Sequence, residues 1–262
     1  PPIIYNQLPI YKTYFNYLLK RKLFASNIKF KNQKIGKDLL VIGNGPSLNK
    51  INLLLLNDMD MFALNDFYLH EQFNELNVKY YFHMDPTAKW FKYIKKSVSK
   101  SKLDSLEFFL PFSHYDLIKS SGGELKNKNI IINGGKTYER FKYFIDIHKP
   151  TLLICNGLQM LLVTALYMGY KNIYLAGFDF DFLTYKKRYE LPHFFNNKDQ
   201  RVNVSTSKNS YATTVCNSGI TLKSLENLRD VSEEKNVNIY NLNNPNSFLD
   251  MFIYIEMKKL YV

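Results

Sequence analysis

Hydrophobic positions between residues 38 and 242 do not alternate with polar ones; they come in short unbroken runs, each closed by glycine, proline or a small polar residue. The runs predict strands at Leu39–Ile42, Met61–Leu64, Lys79–His83, Glu107–Leu110, Asn129–Ile132, Asn172–Ala176 and Val237–Tyr240. The intervening segments are long enough for helices or crossovers. Uninterrupted apolar strands are buried on both faces, so the expected class is α/β, with a mostly parallel sheet and helices on both faces. Leu158–Met168 is apolar nearly all round and predicts a buried helix, with Asn156 as its N-cap and Gly169 as its terminator. Leu222, Leu225, Leu228 and Val231 space a last amphipathic helix.

In open parallel sheets the ligand sits beyond the carboxyl ends of the strands, so the residues following each strand are the candidates. After the first comes Gly43-Asn44-Gly45-Pro46-Ser47-Leu48, which reads as a tight turn and a helix start. Its glycines allow close backbone approach, and helix-end amides suit an anion or the polar edge of a nucleotide. Leu48 stands where a dinucleotide fingerprint needs a third glycine, and no Gly-Lys-Ser/Thr follows to make a triphosphate loop. An ordinary βα turn is the competing reading. Asn65-Asp66 and Asp85-Pro86-Thr87 follow the next two strands, either as ligand contacts or as turn and cap residues. Asn156-Gly157 puts a helix amino end toward the same crevice. Asp179 and Asp181 imitate a metal-holding Asp-x-Asp, but a structural or substrate-hydrogen-bonding role for Asp179 is favoured. The turn through Asn243–Asp250 is expected to open a helix beside that crevice.

Periodicity is lost over residues 180–215, which reads as a lid. His193 lies in it with Tyr185, Arg188 and Tyr189, and is the best general-base candidate among five histidines, against the alternative of an incidental loop residue. His83 is the reserve; His70, His114 and His148 look peripheral. Residues 1–37 form a basic, aromatic arm preceding the main domain at 38–262. Tyr14, Leu18 and Arg21 fit an amphipathic helix packed on that domain, or a membrane-surface or partner-binding helix.

The 262-residue chain carries a net charge of +12, which favours acidic partners. Lys95, Lys96, Lys100 and Lys102 read as a solvated face rather than a nucleic-acid groove, because no aromatic interleaving accompanies them. Cys155 and Cys216 lie far apart without metal spacing, which predicts a reduced, cytoplasmic protein. No apolar run reaches the roughly 18 residues of a membrane span. The start at Pro1-Pro2, without methionine, reads as trimmed.

Val41–Leu48, Phe62–Tyr68, Ala165–Phe180 and Asn244–Leu249 together resemble the bacterial lipooligosaccharide sialyltransferases of the Cst type, which use CMP-sialic acid. The Gly-x-Gly-Pro-Ser-Leu start is shared with the wider MptE-like, motility-accessory glycosyltransferases. The resemblance implies a Rossmann-like, GT-A-like single domain with a mobile lid, inverting transfer and no obligatory metal or other cofactor. By position, it implies that Gly43, Asn44, Gly45, Pro46 and Ser47 hold the cytidine monophosphate part and that Asn65 binds the donor. Asp85 falls where the family has Asn, Asn156-Gly157 where it has Ser-Gly, and Asn246 and Ser247 in its final Pro-Asn-Ser turn. The family's base histidine aligns with Cys216 or Asn217, whereas His193 matches a His-Phe-Tyr motif of the MptE-like branch. Tyr185 and Tyr189 are then the lid's phosphate donors. The expected partners are a CMP-activated nonulosonic acid and a glycan or glycolipid acceptor, but no nucleic acid. Peripheral contact with the anionic inner face of the cytoplasmic membrane and a homo-oligomer stay open. The competing functions are an ATP- and Mg²⁺-dependent pyrophosphokinase of MptE-like type and an inactive nucleotide-sugar-binding accessory protein.

Overall fold

Each of the seven apolar runs forms a strand: β1 (Asp38–Ile42), β2 (Asp60–Leu64), β3 (Val78–Phe82), β4 (Glu107–Pro111), β5 (Lys128–Ile131), β6 (Asn172–Ala176) and β7 (Asn238–Asn241). An eighth, β8 (Ile253–Tyr254), completes one sheet in the order β5-β4-β3-β2-β1-β6-β7-β8, with every neighbouring pair parallel. The structure is a computed structural model and describes residues 15–84, 89–115, 127–131, 145–151, 156–184, 193–195, 210–243, 245 and 247–260. The turn after β7 was expected to open a helix; instead the chain runs back beside β7 as β8 and ends in a short 3-10 helix, Met257–Leu260. The run Phe252-Ile253-Tyr254-Ile255 is rich in aromatic and β-branched residues, which fit a pleated edge, and Ile255 N donates to Asn241 O at 3.0 Å.

The helices are α1 (residues 15–25), α2 (Lys89–Ser97), α3 (Lys100–Ser105), α4 (Gly157–Met168) and α5 (Tyr211–Glu234). Strand side chains alternate between faces, which divides the core in two. Leu39, Val41, Phe62, Ile173 and Leu175 pack with α4 and with Leu225 and Leu228 of α5. Leu40, Ile42, Met61, Ala63 and Ala176 pack with Trp90 and Ile94 of α2 and with Leu48, Leu53 and Leu56. As expected, α4 is buried almost all round, capped by Asn156 and ended by Gly169 at φ 85°. No described helix is long and apolar enough to cross a membrane. Helix α5 starts at Tyr211, inside the stretch expected to be irregular, because the Ser210 side chain caps it by accepting from Thr213 N.

Residues 24–30 wrap the β5 edge. Phe24 enters one core layer and Phe30 the other, and between them Asn27 donates from Nδ2 to Ile130 O and Ile147 O, both at 2.8 Å. The amide side chain thereby occupies a carbonyl that the edge strand would otherwise present to another chain.

At the amino end of β2, buried Asp60 takes Lys34 Nζ at 2.7 Å, Lys79 Nζ at 2.5 Å and the Tyr170 hydroxyl at 2.8 Å. Burial alone would raise its pKa, but hydrogen bonds from Lys34, Lys79 and Tyr170 and the charge of Lys34 outweigh it and lower the value to about 2. A carboxylate held below its unfolded value near 3.8 contributes stability above that pH and loses it as pH falls through about 2. This linkage amounts to about 2 kcal/mol. Denaturant titrations between pH 5 and pH 2 should show the loss, and Asp60→Asn should remove this pH dependence while costing about 3–5 kcal/mol at neutral pH, because two ammonium groups lose their counter-ion.

Candidate functional site

The strand order reverses between β1 and β6: from β1 the chain moves outward through β2 to β5, then returns to β6 on the other side. The crevice beyond the carboxyl ends of β1 and β6 is therefore the sheet's switch point. The loop after β1 continues the pairing with the segment after β6. Gly43 N donates to Ala176 O at 2.8 Å, Gly45 N to Gly177 O at 2.7 Å, and Ser47 N to Asp179 Oδ2 at 3.1 Å. A Cβ on Gly43 would collide with Gly177 O, and one on Gly45 with the Asp179 carboxylate, so both positions need glycine for contact rather than for φ. The segment Pro46–Lys50 is one 3-10 turn, not the start of an α-helix. Of the amides expected to meet an anion or the polar edge of a nucleotide, three already have partners within the protein, one of them a carboxylate. Asp179 is the loop's internal cap.

What the loop does offer is Asn44. Its Nδ2 donates to Leu64 O at 3.1 Å, which fixes the amide's orientation and leaves buried Oδ1 without a hydrogen-bond partner. Ser47 Oγ reaches Asn243 Oδ1 at 3.4 Å, and the same oxygen accepts from Phe178 N at 2.8 Å. Asn243 Nδ2 donates in turn to Asn241 Oδ1 at 2.6 Å, and Asn241 Nδ2 to Ser247 Oγ at 2.9 Å. The two serines expected at the site are thus joined through Asn241 and Asn243, which sequence reading did not single out. Their spacing of two at a strand end, placing both on one side, was the available signal.

Asn65, after β2, adopts a left-handed backbone at φ 49°. Its side-chain Oδ1 accepts from Met84 N at 2.9 Å, and its carbonyl accepts from the Tyr81 hydroxyl and from Trp90 Nε1 at 3.2 Å. Asn156 is committed to its own helix: Oδ1 accepts from Gln159 N at 3.0 Å while Gln159 Oε1 accepts from Asn156 N at 3.2 Å. A Cβ on Gly157 would collide with Leu64, so the amino end of α4 lies against the carboxyl end of β2.

The His193-Phe194-Phe195 segment rests on the first loop. Phe194 N donates to Asn44 O at 3.0 Å, and Asn49 Nδ2 donates to Phe194 O at 3.1 Å. The Phe194 ring packs against Phe67 and His70, with centroids 6.0 and 5.6 Å away, and His193 stacks on Phe195 at 5.2 Å. His70, expected to be peripheral, therefore belongs to this cluster. Burial lowers its pKa against the opposing charge of Glu71, and Nδ1 accepts from Gln72 N at 3.3 Å, a bond only neutral imidazole can make. His83 is buried and stacked on Trp90 at 4.0 Å. Cys216 is exposed on α5, whose first residue ties it to the β6 end through Tyr211 Oη donating to Leu183 O at 2.8 Å. Among the described residues no three His, Cys, Asp or Glu side chains converge as metal ligands would. Asp85, Tyr185, Tyr189 and Asn246 lie outside the described residues.

These features define a Rossmann-like α/β protein whose polar turns converge at the switch point beneath a histidine-bearing segment. Residues 37–259 match the CST-I family of alpha-2,3-sialyltransferases, and the chain belongs to that family, which makes it a sialyltransferase-like glycosyltransferase. Among solved structures it is similar to the sialyltransferase CstII from Campylobacter jejuni in complex with a substrate analogue, cytidine-5'-monophosphate. The identity is 18%, the TM-score 0.45, and 85% of this chain and 86% of that one are covered. It is also similar to the MAf glycosyltransferase from Magnetospirillum magneticum AMB-1, at 10% identity and a TM-score of 0.44, over 90% of this chain but 37% of that longer one. No curated protein matches it significantly.

The contact at Gly43 is testable against an internal control. Gly43→Ala should destabilise the protein by about 1–3 kcal/mol, because backbone must move to admit the methyl. Gly219→Ala, exposed on α5 with nothing within 4 Å of the added carbon, should stabilise it by about 0.5–1 kcal/mol through helix propensity. Urea melts of the two variants give both signs.

Proposed function

We propose that the chain is an inverting glycosyltransferase that moves a nonulosonic acid from its CMP form to a hydroxyl of a bacterial surface glycan. Beyond family membership, the observation that carries this reading is the hydrogen bond from Phe194 N to Asn44 O, which holds an imidazole-bearing residue next to the first loop. Asn44 Oδ1, an acceptor without a partner, suits a hydrogen-bond donor such as a ribose hydroxyl or the amino group of cytosine.

Three of the loop amides, at Gly43, Gly45 and Ser47, bond within the protein, so the phosphate of departing CMP needs further donors. The first-turn amides of α4 at Gly157 and Leu158 and the hydroxyls of Tyr185 and Tyr189 are the groups assigned to it. His193 takes the proton from the acceptor hydroxyl as that oxygen attacks the anomeric carbon. The bond from that carbon to the phosphate oxygen breaks on the opposite face, through an oxocarbenium-like transition state, and configuration inverts. A monophosphate leaving group stabilised by helix-end amides requires no divalent ion. The net charge of +12 favours an anionic glycolipid acceptor or membrane face. The bond from the Ser47 amide to Asp179 Oδ2 supports a structural role for Asp179 over a place in an ATP- and Mg²⁺-dependent pyrophosphokinase.

Thermal-shift measurements against CMP, UDP, GDP and ATP test the donor. CMP at 100 times its Kd should stabilise by about 2.7 kcal/mol. A response to ATP alone, with activity abolished by EDTA, would overturn the reading. His193→Ala should lower turnover by roughly 10²–10⁴ with CMP binding retained; undiminished transfer would remove His193 from its role.

A further inference from the structure

We propose that Asn49 and His70 are positioning residues that, with Phe67, fasten the His193-Phe194-Phe195 segment to the loop beneath it, so that the base takes up a fixed place over the nucleotide-binding loop whenever the clasp is closed. The proposal rests on the reading of His193 as the base.

The geometry is that of a two-sided clasp on one residue. Both peptide groups of Phe194 are held by the same short stretch of chain, its N–H by the Asn44 carbonyl and its C=O by the Asn49 side chain. Its ring is held from the other side by Phe67, fully buried in the 3-10 turn after β2, and by His70, which stacks on Phe67 at 5.2 Å and meets Phe194 at a 48° tilt. Position and orientation of Phe194 are therefore both fixed, and His193 is bonded directly to it. The clasp joins elements that follow two different strands: Asn44 and Asn49 come after β1, Phe67 and His70 after β2.

Each contact is individually modest. Asn49 and its bond to Phe194 are exposed, and His70 is half-buried, so the clasp is reversible rather than part of the core. That suits a segment that must admit a donor, close over it and open for product. His70 does its work in this arrangement as a neutral ring. Its Nδ1 is occupied by the Gln72 amide, so an aromatic ring of similar size should replace it.

The test uses the full chain, CMP-sugar transfer kinetics, CMP affinity by calorimetry and hydrogen exchange at the Phe194 amide. Asn49→Ala and His70→Ala should each lower kcat by about three- to tenfold, the loss expected for one hydrogen bond or one ring contact. CMP affinity should stay within about twofold and exchange at the Phe194 amide should accelerate. His70→Phe should restore both kcat and protection, and none of the variants should shift the pH profile. Equal damage from His70→Phe and His70→Ala, together with a shifted pH profile, would make His70 a titrating group and overturn the proposal. Lost protection with unchanged kcat, or a loss confined to CMP affinity, would overturn it as well. Full activity in His193→Ala overturns the base assignment instead, so the two failures are told apart.

Discussion

At the carboxyl ends of the two central strands the backbones of Gly43 and Gly177 touch, and the loop from Gly43 to Ser47 takes its place from that contact. The parallel register that pairs Ile42 with Ala176 does not stop at the sheet; it runs on through Gly43, Gly45 and Ser47 on one side and Ala176, Gly177 and Asp179 on the other. Ser47 passes the constraint to Asn243, Asn241 and Ser247 beyond β7, and Asn44 passes it to the Leu64 carbonyl of β2. Four strands thus share one hydrogen-bonded arc. A site built this way inherits the rigidity of the sheet rather than the looseness of its loops.

The same contact redistributes the chemistry. In the familiar phosphate-binding loop, glycines free the backbone amides for the ligand. Here the glycines bring two backbones together, the amides of Gly43, Gly45 and Ser47 bond within the protein, and Asp179 puts a carboxylate against the last of them. A phosphate would be repelled there, while a nucleoside, which brings hydrogen-bond donors, would find the Asn44 side chain. Under the proposed function, recognition of the uncharged and charged halves of a nucleotide would be divided between separate elements, the first loop on one hand and the amino end of α4 with Tyr185 and Tyr189 on the other.

Apolar runs made seven strands legible, because a strand buried on both faces has no other composition available to it. The eighth was not, since both residues of β8 are exposed and only its place beside β7 makes it a strand. The first two turns of α5 were missed for a related reason: Tyr211–Ser218 is largely polar and exposed, so no periodic stripe marks it, and the Ser210 cap is a local signal easily lost in a polar run. At the site, sequence gave the positions after each strand but not their partners. Asp179 could be weighed as a metal ligand or as a structural or substrate-hydrogen-bonding residue, and its bond to the Ser47 amide comes from the β1–β6 register, which the sequence does not display. His70 looked peripheral because its neighbour Phe194 lies in a segment with no periodic pattern of its own.

The two ends of the sheet are finished differently. At the amino ends Asp60 is satisfied by two lysines and a tyrosine, and a ladder from Asn238 through Asn172 to Asp38 ties β7, β6 and β1 together. At the carboxyl ends Asn44 keeps a buried acceptor without a partner, and Asn65 and Phe180 hold left-handed backbone at φ 49° and 53°. Asparagine tolerates that conformation, as Asn32 and Asn236 do in polar turns, but for an aromatic residue it costs on the order of 1–3 kcal/mol. Stability alone gives no reason for the unpartnered Asn44 acceptor and the Phe180 conformation to share one end of the sheet. Among the described residues, the unpartnered Asn44 acceptor and the left-handed Phe180 both lie beyond the carboxyl ends of β1 and β6, where the proposed function would place a ligand able to supply the missing partner.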